Sequence, residues 1–243
     1  MAEGRCRRGT MEAMTTAEPR RTSPSDRPLP PYLTATADEL TAERVAGADE
    51  DVHFTERVAA AVIERLTSPG DLVLDPFAGF GTTLAVANRL GRRAVGVELL
   101  PERVALIRDR APGCTVIEGD ARGLHELVAE PVDLCLTSPP YMTANAHPHN
   151  PLTAYETIDG EYGTYLEHLA RLARTVRELL RPGGHLVVNA ANIRYVGQTT
   201  ALAWDVARAV GRVLPFLGET VIVWDALPHD LTGDYLLTFR RDA

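Results

Sequence analysis

Two short stretches carry residue types that could do chemistry. TSPPY, Thr137 to Tyr141, follows the apolar run VDLCL. Proline has no N–H to donate and pushes the residue before it into extended geometry, so the chain leaves a buried strand stiffly with its carbonyls open as acceptors. A serine hydroxyl, fixed carbonyls and an aromatic plane in succession suit a planar group that presents N–H donors. The second stretch, DPFAGFGTT, Asp75 to Thr83, joins the apolar run DLVL to a helical segment through Gly79 and Gly81. Glycines at that junction let the backbone approach a ligand closely beside a helix N-terminus, which is the usual geometry of a nucleotide site.

The spacing discriminates among nucleotides. A dinucleotide fingerprint wants a third glycine where Leu84 stands, and a P-loop wants a lysine in a chain that has none. Glu98 ends the run RAVGVE, 17 residues after Gly81, and is placed to accept hydrogen bonds from two ribose hydroxyls. Asp120, in EGDAR, is placed to accept from an adenine amino group. Ribose and adenine without pyrophosphate describe S-adenosylmethionine. The expected cofactor set is Asp75, Pro76, Phe77, Gly79, Gly81, Thr82, Thr83, Glu98, Asp120 and Ala121. Taken singly, an acid at a strand end reads equally well as a solvated carboxylate or a helix cap. The ordered set at successive strand ends is far more specific.

Around these residues the chain alternates short apolar runs with helical segments, the pattern of a largely parallel sheet wrapped by helices. Strands are expected over 71–75, 93–98, CTVIEGD, VDLCLT, HLVVNA, ETVIVW and YLLTF. Helices are expected after Thr55, over 82–90, from Pro101, over GTYLEHLARLARTVRELL and over TALAWDVARAVGRVL. Residues 1–31, rich in Arg, Ser, Thr and Pro, read as a disordered tail, with 32–243 forming one domain. Met11 and Met14 leave the true start open. The acidic stretch from Asp38 to Glu56 reads as a partly helical lead-in.

The chain of 243 residues has a formal charge of −8, which argues against a protein gripping a long nucleic-acid footprint but not against a local basic surface. No apolar run is long enough for a membrane span, and the start lacks a signal peptide, so a cytoplasmic protein is expected. Cys6, Cys114 and Cys135 are isolated from one another, which gives no disulfide framework and no metal site.

VLDPFAGFGTT and TSPPY, supported by VGVE and EGDAR, resemble the SAM-dependent amino-methyltransferases that modify cytosine N4 or adenine N6 in DNA, over roughly His53 to Phe239. The resemblance implies a Rossmann-like class I methyltransferase fold: a seven-stranded, mostly parallel sheet with helices on both faces and the last two strands antiparallel. It implies that Phe54 helps hold the cofactor, although its position before a helix equally suits a hydrophobic staple. It makes Ser138, Pro139, Pro140 and Tyr141 the catalytic set. Ser138 and the Pro139 carbonyl would accept from the target amine, aiming its lone pair at the methyl, while Tyr141 would stack on a flipped base. Serine at the first position is more similar to the cytosine N4 members than to adenine modifiers.

The sequence departs from the family in having no evident target-recognition segment, so loose specificity, a specificity partner or homodimer, or a substrate other than duplex DNA is expected. Nucleic acid is the expected partner, DNA before RNA, and no membrane is. An RNA base methyltransferase, a protein glutamine methyltransferase and a silent SAM-binding regulatory subunit are the alternatives. The loop 142–163, with His147 and His149, is the candidate for substrate contact and closure. Asn189 and Asn192 either line the same pocket or are satisfied loop amides, and WDALPHDLTGD is a second possible substrate edge. Arg171, Arg174, Arg177 and Arg181 share one face of the long helix with Glu167 and Glu178, a solvated face by its pairing.

Overall fold

The computed structural model describes residues 28–46, 54–142, 144, 162–228 and 230–242. Most of the tail, residues 47–53, His147, His149 and nearly all of the candidate loop therefore lie outside the described residues. The elements run β1 (Tyr32–Ala35), α1 (Ala37–Ala42), α2 (Glu56–Leu66), β2 (Leu72–Asp75), α3 (Thr82–Arg89), β3 (Arg93–Glu98), α4 (Pro101–Arg110), β4 (Thr115–Glu118), α5 (Leu124–Leu127), β5 (Val132–Thr137), α6 (Tyr162–Leu179), β6 (Leu180–Tyr195), β7 (Gln198–Thr200), α7 (Leu202–Val210), β8 (Phe216–Trp224) and β9 (Leu231–Arg240).

The strands form one sheet in the order β1-β8-β9-β6-β5-β2-β3-β4, with β7 hairpinned onto β6. All neighbours are parallel except at β9, which runs antiparallel to both β6 and β8, and at the β6–β7 hairpin. The seven expected strands are all present. Alternation along them splits the core into two apolar layers: Leu72, Leu74 and Cys135 point to the side of α6 and α7, while Val73, Leu134 and Leu136 point to that of α2 and α3.

Two strands go beyond the expected seven. Tyr32–Ala35 pairs parallel to β8, and the described chain already begins at Pro28, inside the stretch assigned to the tail. Leu29 is buried, the Pro30 carbonyl accepts from the Thr220 hydroxyl at 2.6 Å, and the Pro31 carbonyl accepts from the Val221 N–H at 3.1 Å. Prolines that look unfit for a sheet serve an edge strand well when only their acceptors face the neighbour. The other addition, β7, follows a tight turn in which Val196 and Gly197 both have positive φ, as a two-residue hairpin requires.

The helix ends follow local chemistry. Thr55 caps α2 by accepting from the Val58 N–H, Pro101 opens α4, and Thr36 with Glu39 closes a capping box on α1. On α6, Tyr165, Leu169, Ala173 and Val176 are buried while Arg171, Arg174 and Arg177 are exposed, and Arg171 pairs with Glu167 one turn away.

Candidate active site

The chain steps from β2 outward to β3 and β4, then returns to place β5 on the other side of β2. That reversal makes the carboxyl ends of β2 and β5 the switch point where open α/β sheets bind ligands. Both sequence motifs end there. Thr137, the last residue of β5, donates its hydroxyl to Asp75 Oδ1 at 2.7 Å, so the glycine-rich stretch and TSPPY are joined by one buried hydrogen bond.

An open cleft of about 380 Å³ lies at this point, lined by Phe54, Asp75, Phe77, Gly79, Thr82, Thr83 and Ser138, all expected from the sequence, together with Ala78, Phe80 and Arg103. Gly79 has φ 53°, and a Cβ there would meet only the Phe77 carbonyl oxygen, at 3.9 Å. At Gly81, φ is 79° and a Cβ would stand 2.8 Å from Ile107, so glycine is required for both backbone and space. Pro76 turns instead toward the apolar space beneath β5, where Pro139 also lies.

Asp75 is 3% exposed. Burial pushes its pKa up to about 6 against the opposing hydrogen bonds from Thr137 and the Phe77 N–H. Thr83 Oγ1 lies near enough to lower it yet makes no hydrogen bond of good geometry, although the atom is buried. The Thr82 hydroxyl accepts from Arg110, which also holds the Phe80 carbonyl and pairs with Glu56 at 2.7 Å. Arg110 therefore braces the glycine turn from outside.

Glu98 is buried behind the loop. Its Oε2 accepts from the Gly79 N–H at 2.8 Å and its Oε1 from the Leu100 N–H at 2.9 Å, so the acid expected to meet a ribose also tethers the glycine turn. Burial raises its pKa, and these N–H bonds oppose the rise. Asp120 and Ala121 sit at the end of β4, where Ala121 begins a short 3-10 turn. Asp120 accepts from the Arg122 N–H and guanidinium. Partial burial works to raise its pKa, but the Arg122 hydrogen bonds hold it below the usual carboxylate value.

On the TSPPY side, Tyr165 of α6 donates to the Pro140 carbonyl at 3.0 Å, which takes one of the expected free acceptors. Ser138 is 7% exposed, and its Oγ donates to Asn189 Oδ1 at 3.1 Å; Tyr141 donates its hydroxyl to the same oxygen at 2.7 Å. Asn189 is fully buried on β6. Its Nδ2 donates to Asp234 Oδ1 at 2.7 Å and to the Tyr235 carbonyl at 3.3 Å, and Asp234 Oδ2 accepts from Trp224 Nε1 at 2.9 Å. Burial raises Asp234 to about 6 and pushes the Tyr141 phenol well above its ordinary value, with the Asp234 charge adding to the latter. Asn192 is different: its Oδ1 accepts from the Ala203 N–H at 3.1 Å and so secures the start of α7.

The sequence reading did not name Arg103, and it placed Trp224 and Asp234 at the two ends of a possible substrate edge, whereas both are buried behind Ser138. Arg103 is buried with its guanidinium 4.7 Å from the centre of the Phe80 ring, a cation–π contact behind the glycine turn. A carboxylate directly before an apolar strand, as in GDYLLTF, is a signal that could have suggested a buried partner for Asp234.

Residues 41–109 match the N6/N4 family described as DNA methylase. The type II methyltransferase M.XycI of Xanthomonas campestris pv. cyanopsidis is 45% identical over 64 residues, 25% of this chain and 21% of that protein, so the match spans about a fifth of the relative. Among solved structures, TrmN from Thermus thermophilus superposes with a TM-score of 0.56 at 21% identity, over 77% of this chain and 49% of that one. The N-methyltransferase NodS of Bradyrhizobium japonicum, in complex with S-adenosylhomocysteine, gives 0.53 at 16% identity, over 77% and 87%. Those likenesses establish the fold, and the segment that builds the glycine-rich half of the cleft carries the family signature. The chain has the class I methyltransferase fold, and its residues 41–109 match the N6/N4 DNA methylase family over somewhat more than a quarter of its length.

Proposed function

We propose that this chain transfers a methyl group from S-adenosylmethionine to an exocyclic amino group of a nucleic-acid base, with DNA the favoured polymer and cytosine N4 favoured over adenine N6. The observation that carries the reading is the meeting of the two motifs: Ser138 lines the same cleft as Phe54, Asp75 and Gly79, and Thr137 is bonded to Asp75.

The residues fit the cofactor. Gly79 lines the cleft in left-handed geometry with no side chain to fill it, and Thr83 Oγ1 is a buried polar atom with no good hydrogen bond among the described residues. Phe54, Asp75, Phe77, Gly79, Thr82 and Thr83 would hold it in the cleft, with Glu98 and Asp120 at the neighbouring strand ends. When bound, S-adenosylmethionine supplies an electrophilic methyl on a sulfonium.

The chain's own part is to make a poor nucleophile competent. An amine conjugated to a base ring has its lone pair delocalised. Acceptors at Ser138 and the Pro139 carbonyl favour a pyramidal nitrogen and aim that lone pair, and the stiff prolines keep them in place. Phe54 and Phe77 keep water from the cleft, and Tyr141 supplies an aromatic face for the base. Sequence preference would come from a specificity partner or a second copy.

The test is transfer of labelled methyl to single-stranded DNA, duplex DNA, RNA and bulk protein, followed by nucleoside mass analysis. Label in N4-methylcytosine or N6-methyladenine of DNA is expected. Label only in RNA or protein overturns the substrate, and no label anywhere despite measured cofactor binding overturns the activity. Tyr141→Ala is expected to lower turnover at saturating base while leaving cofactor affinity unchanged.

A further inference from the structure

The buried chain that leads from Ser138 to Trp224 has a direction, and the direction has a chemical consequence. Trp224 Nε1–H is a donor only, so Asp234 Oδ2 accepts from it. Asp234 Oδ1 and the Tyr235 carbonyl both accept from Asn189 Nδ2, which fixes which way the Asn189 amide faces. Asn189 Oδ1 must then point at TSPPY, and it accepts from Ser138 Oγ and Tyr141 Oη. The single proton of the Ser138 hydroxyl is thereby committed inward, and only its lone pairs remain for the cleft.

We infer that Asn189 and Asp234 are positioning residues that hold Ser138 as an acceptor-only group, so that the site takes a base bearing an amino group and rejects the same ring bearing a carbonyl. A hydroxyl left to itself rotates and serves either polarity. Here rotation toward the cleft would give up a buried hydrogen bond and leave Asn189 Oδ1, fully buried, with Tyr141 Oη as its one remaining donor among the described residues, and losing a buried hydrogen bond is costly. The device discriminates cytosine from uracil and adenine from hypoxanthine, pairs that differ in the hydrogen-bonding sense of one substituent. It extends the amino-methyltransferase reading by naming what sets the substrate's polarity.

Asp234→Asn keeps the shape but gives position 234 an amide. Its oxygen satisfies Trp224, its NH2 then faces Asn189, and Asn189 relieves that clash by turning its own oxygen toward position 234 and its NH2 toward Ser138, giving up the longer bond to the Tyr235 carbonyl. Ser138 becomes an acceptor of Asn189 and a donor to the cleft. Asn189→Ala, which frees the Ser138 hydroxyl, is the second variant, and thermal melts report whether each protein is folded.

The experiment is equilibrium binding, in the presence of S-adenosylhomocysteine, of single-stranded oligonucleotides carrying one cytosine or uracil, and one adenine or hypoxanthine, in an otherwise fixed sequence. Wild type is expected to prefer an amino base over its carbonyl counterpart by about tenfold or more. Folded Asp234→Asn or Asn189→Ala is expected to bring the pair within about twofold of each other, with S-adenosylhomocysteine affinity unchanged. Equal binding of the two bases by wild type, or an undiminished preference in either folded variant, overturns the inference. Should wild type prefer the amino base and yet methylate no amine, the proposed activity fails while the polarity device stands.

Discussion

Glutamine in place of Glu98 separates the tether from mere burial. Glu98 is 4% exposed, and each of its carboxylate oxygens accepts a backbone N–H, from Gly79 and from Leu100. Glutamine has nearly the same shape but turns one acceptor into a donor, so one buried N–H faces another. Losing a hydrogen bond to a charged acceptor costs about 1.5–3 kcal/mol and an orphaned buried donor about 1–3 kcal/mol. The two effects share a donor and overlap, so about 2–4 kcal/mol is expected for the pair. In a domain of this size each kcal/mol moves Tm by about 2–4 °C, so Glu98→Gln is expected to melt roughly 5–15 °C below wild type. The assay is thermal unfolding by circular dichroism, paired with calorimetric titration of S-adenosylhomocysteine, whose affinity is expected to fall about tenfold or more as the Gly79 turn loosens. A Tm within about 2 °C of wild type refutes the tether, and unchanged affinity in a destabilised variant refutes the link between tether and cofactor.

Three further outcomes follow from the described geometry. Asp75 holds its proton more tightly when folded, at about 6 against 3.8 for the free side chain. Its contribution to stability therefore rises as pH falls through 6 and is complete below 3.8, a span of roughly 3 kcal/mol. Asp75→Asn is expected to be more stable than wild type near pH 8 by an amount that shrinks toward pH 4 in ligand-free chemical denaturation, and a constant difference would contradict this. Val196, 80% exposed with φ 47°, is a β-branched residue in left-handed geometry; Val196→Asn is expected to stabilise by about 1 kcal/mol, read as a Tm rise of a few degrees. At Gly96 a Cβ would stand 2.7 Å from Leu84 Cδ2 and 2.9 Å from the Ala78 side chain, so Gly96→Ala is expected to cost about 1–3 kcal/mol in denaturant titration.

The strands at the centre of the sheet were legible because burial on both faces leaves uninterrupted apolar runs, as in DLVLD, RAVGVE and VDLCLT. The two motifs were legible because their chemistry is local: a glycine turn and a proline exit each declare themselves within ten residues. Tyr32–Ala35 was not, since a four-residue edge strand beside two prolines carries no period, and its partner lies about 190 residues away. The polar chain behind Ser138 was hidden for a related reason. Asn189 and Asp234 are 45 residues apart, and only the antiparallel pairing of β6 with β9 brings them to hydrogen-bond distance. Asn189 stood out as a pocket candidate without any indication of which way its amide would face. Glu98 was singled out by its place at a strand end, but its bonds to Gly79 and Leu100 depend on how tightly the β2 turn folds back over β3.

The pairing of β1 with β8 sets a constraint on how the chain matures. Among the described residues, 32–35 have their strand partner in 221–224, so during synthesis this strand waits until about 190 further residues are made. Closing a loop of that length carries an entropic cost that local contacts do not repay, so β1 is expected to dock after the central sheet and to detach before it. Hydrogen exchange would register this as amides of 32–35 opening at lower free energy than those of β2 or β5. The β1 edge of the sheet thus acts as a late-closing seam, separated from β2 and its glycine turn by β8, β9, β6 and β5, and its opening leaves the strands at the switch point paired.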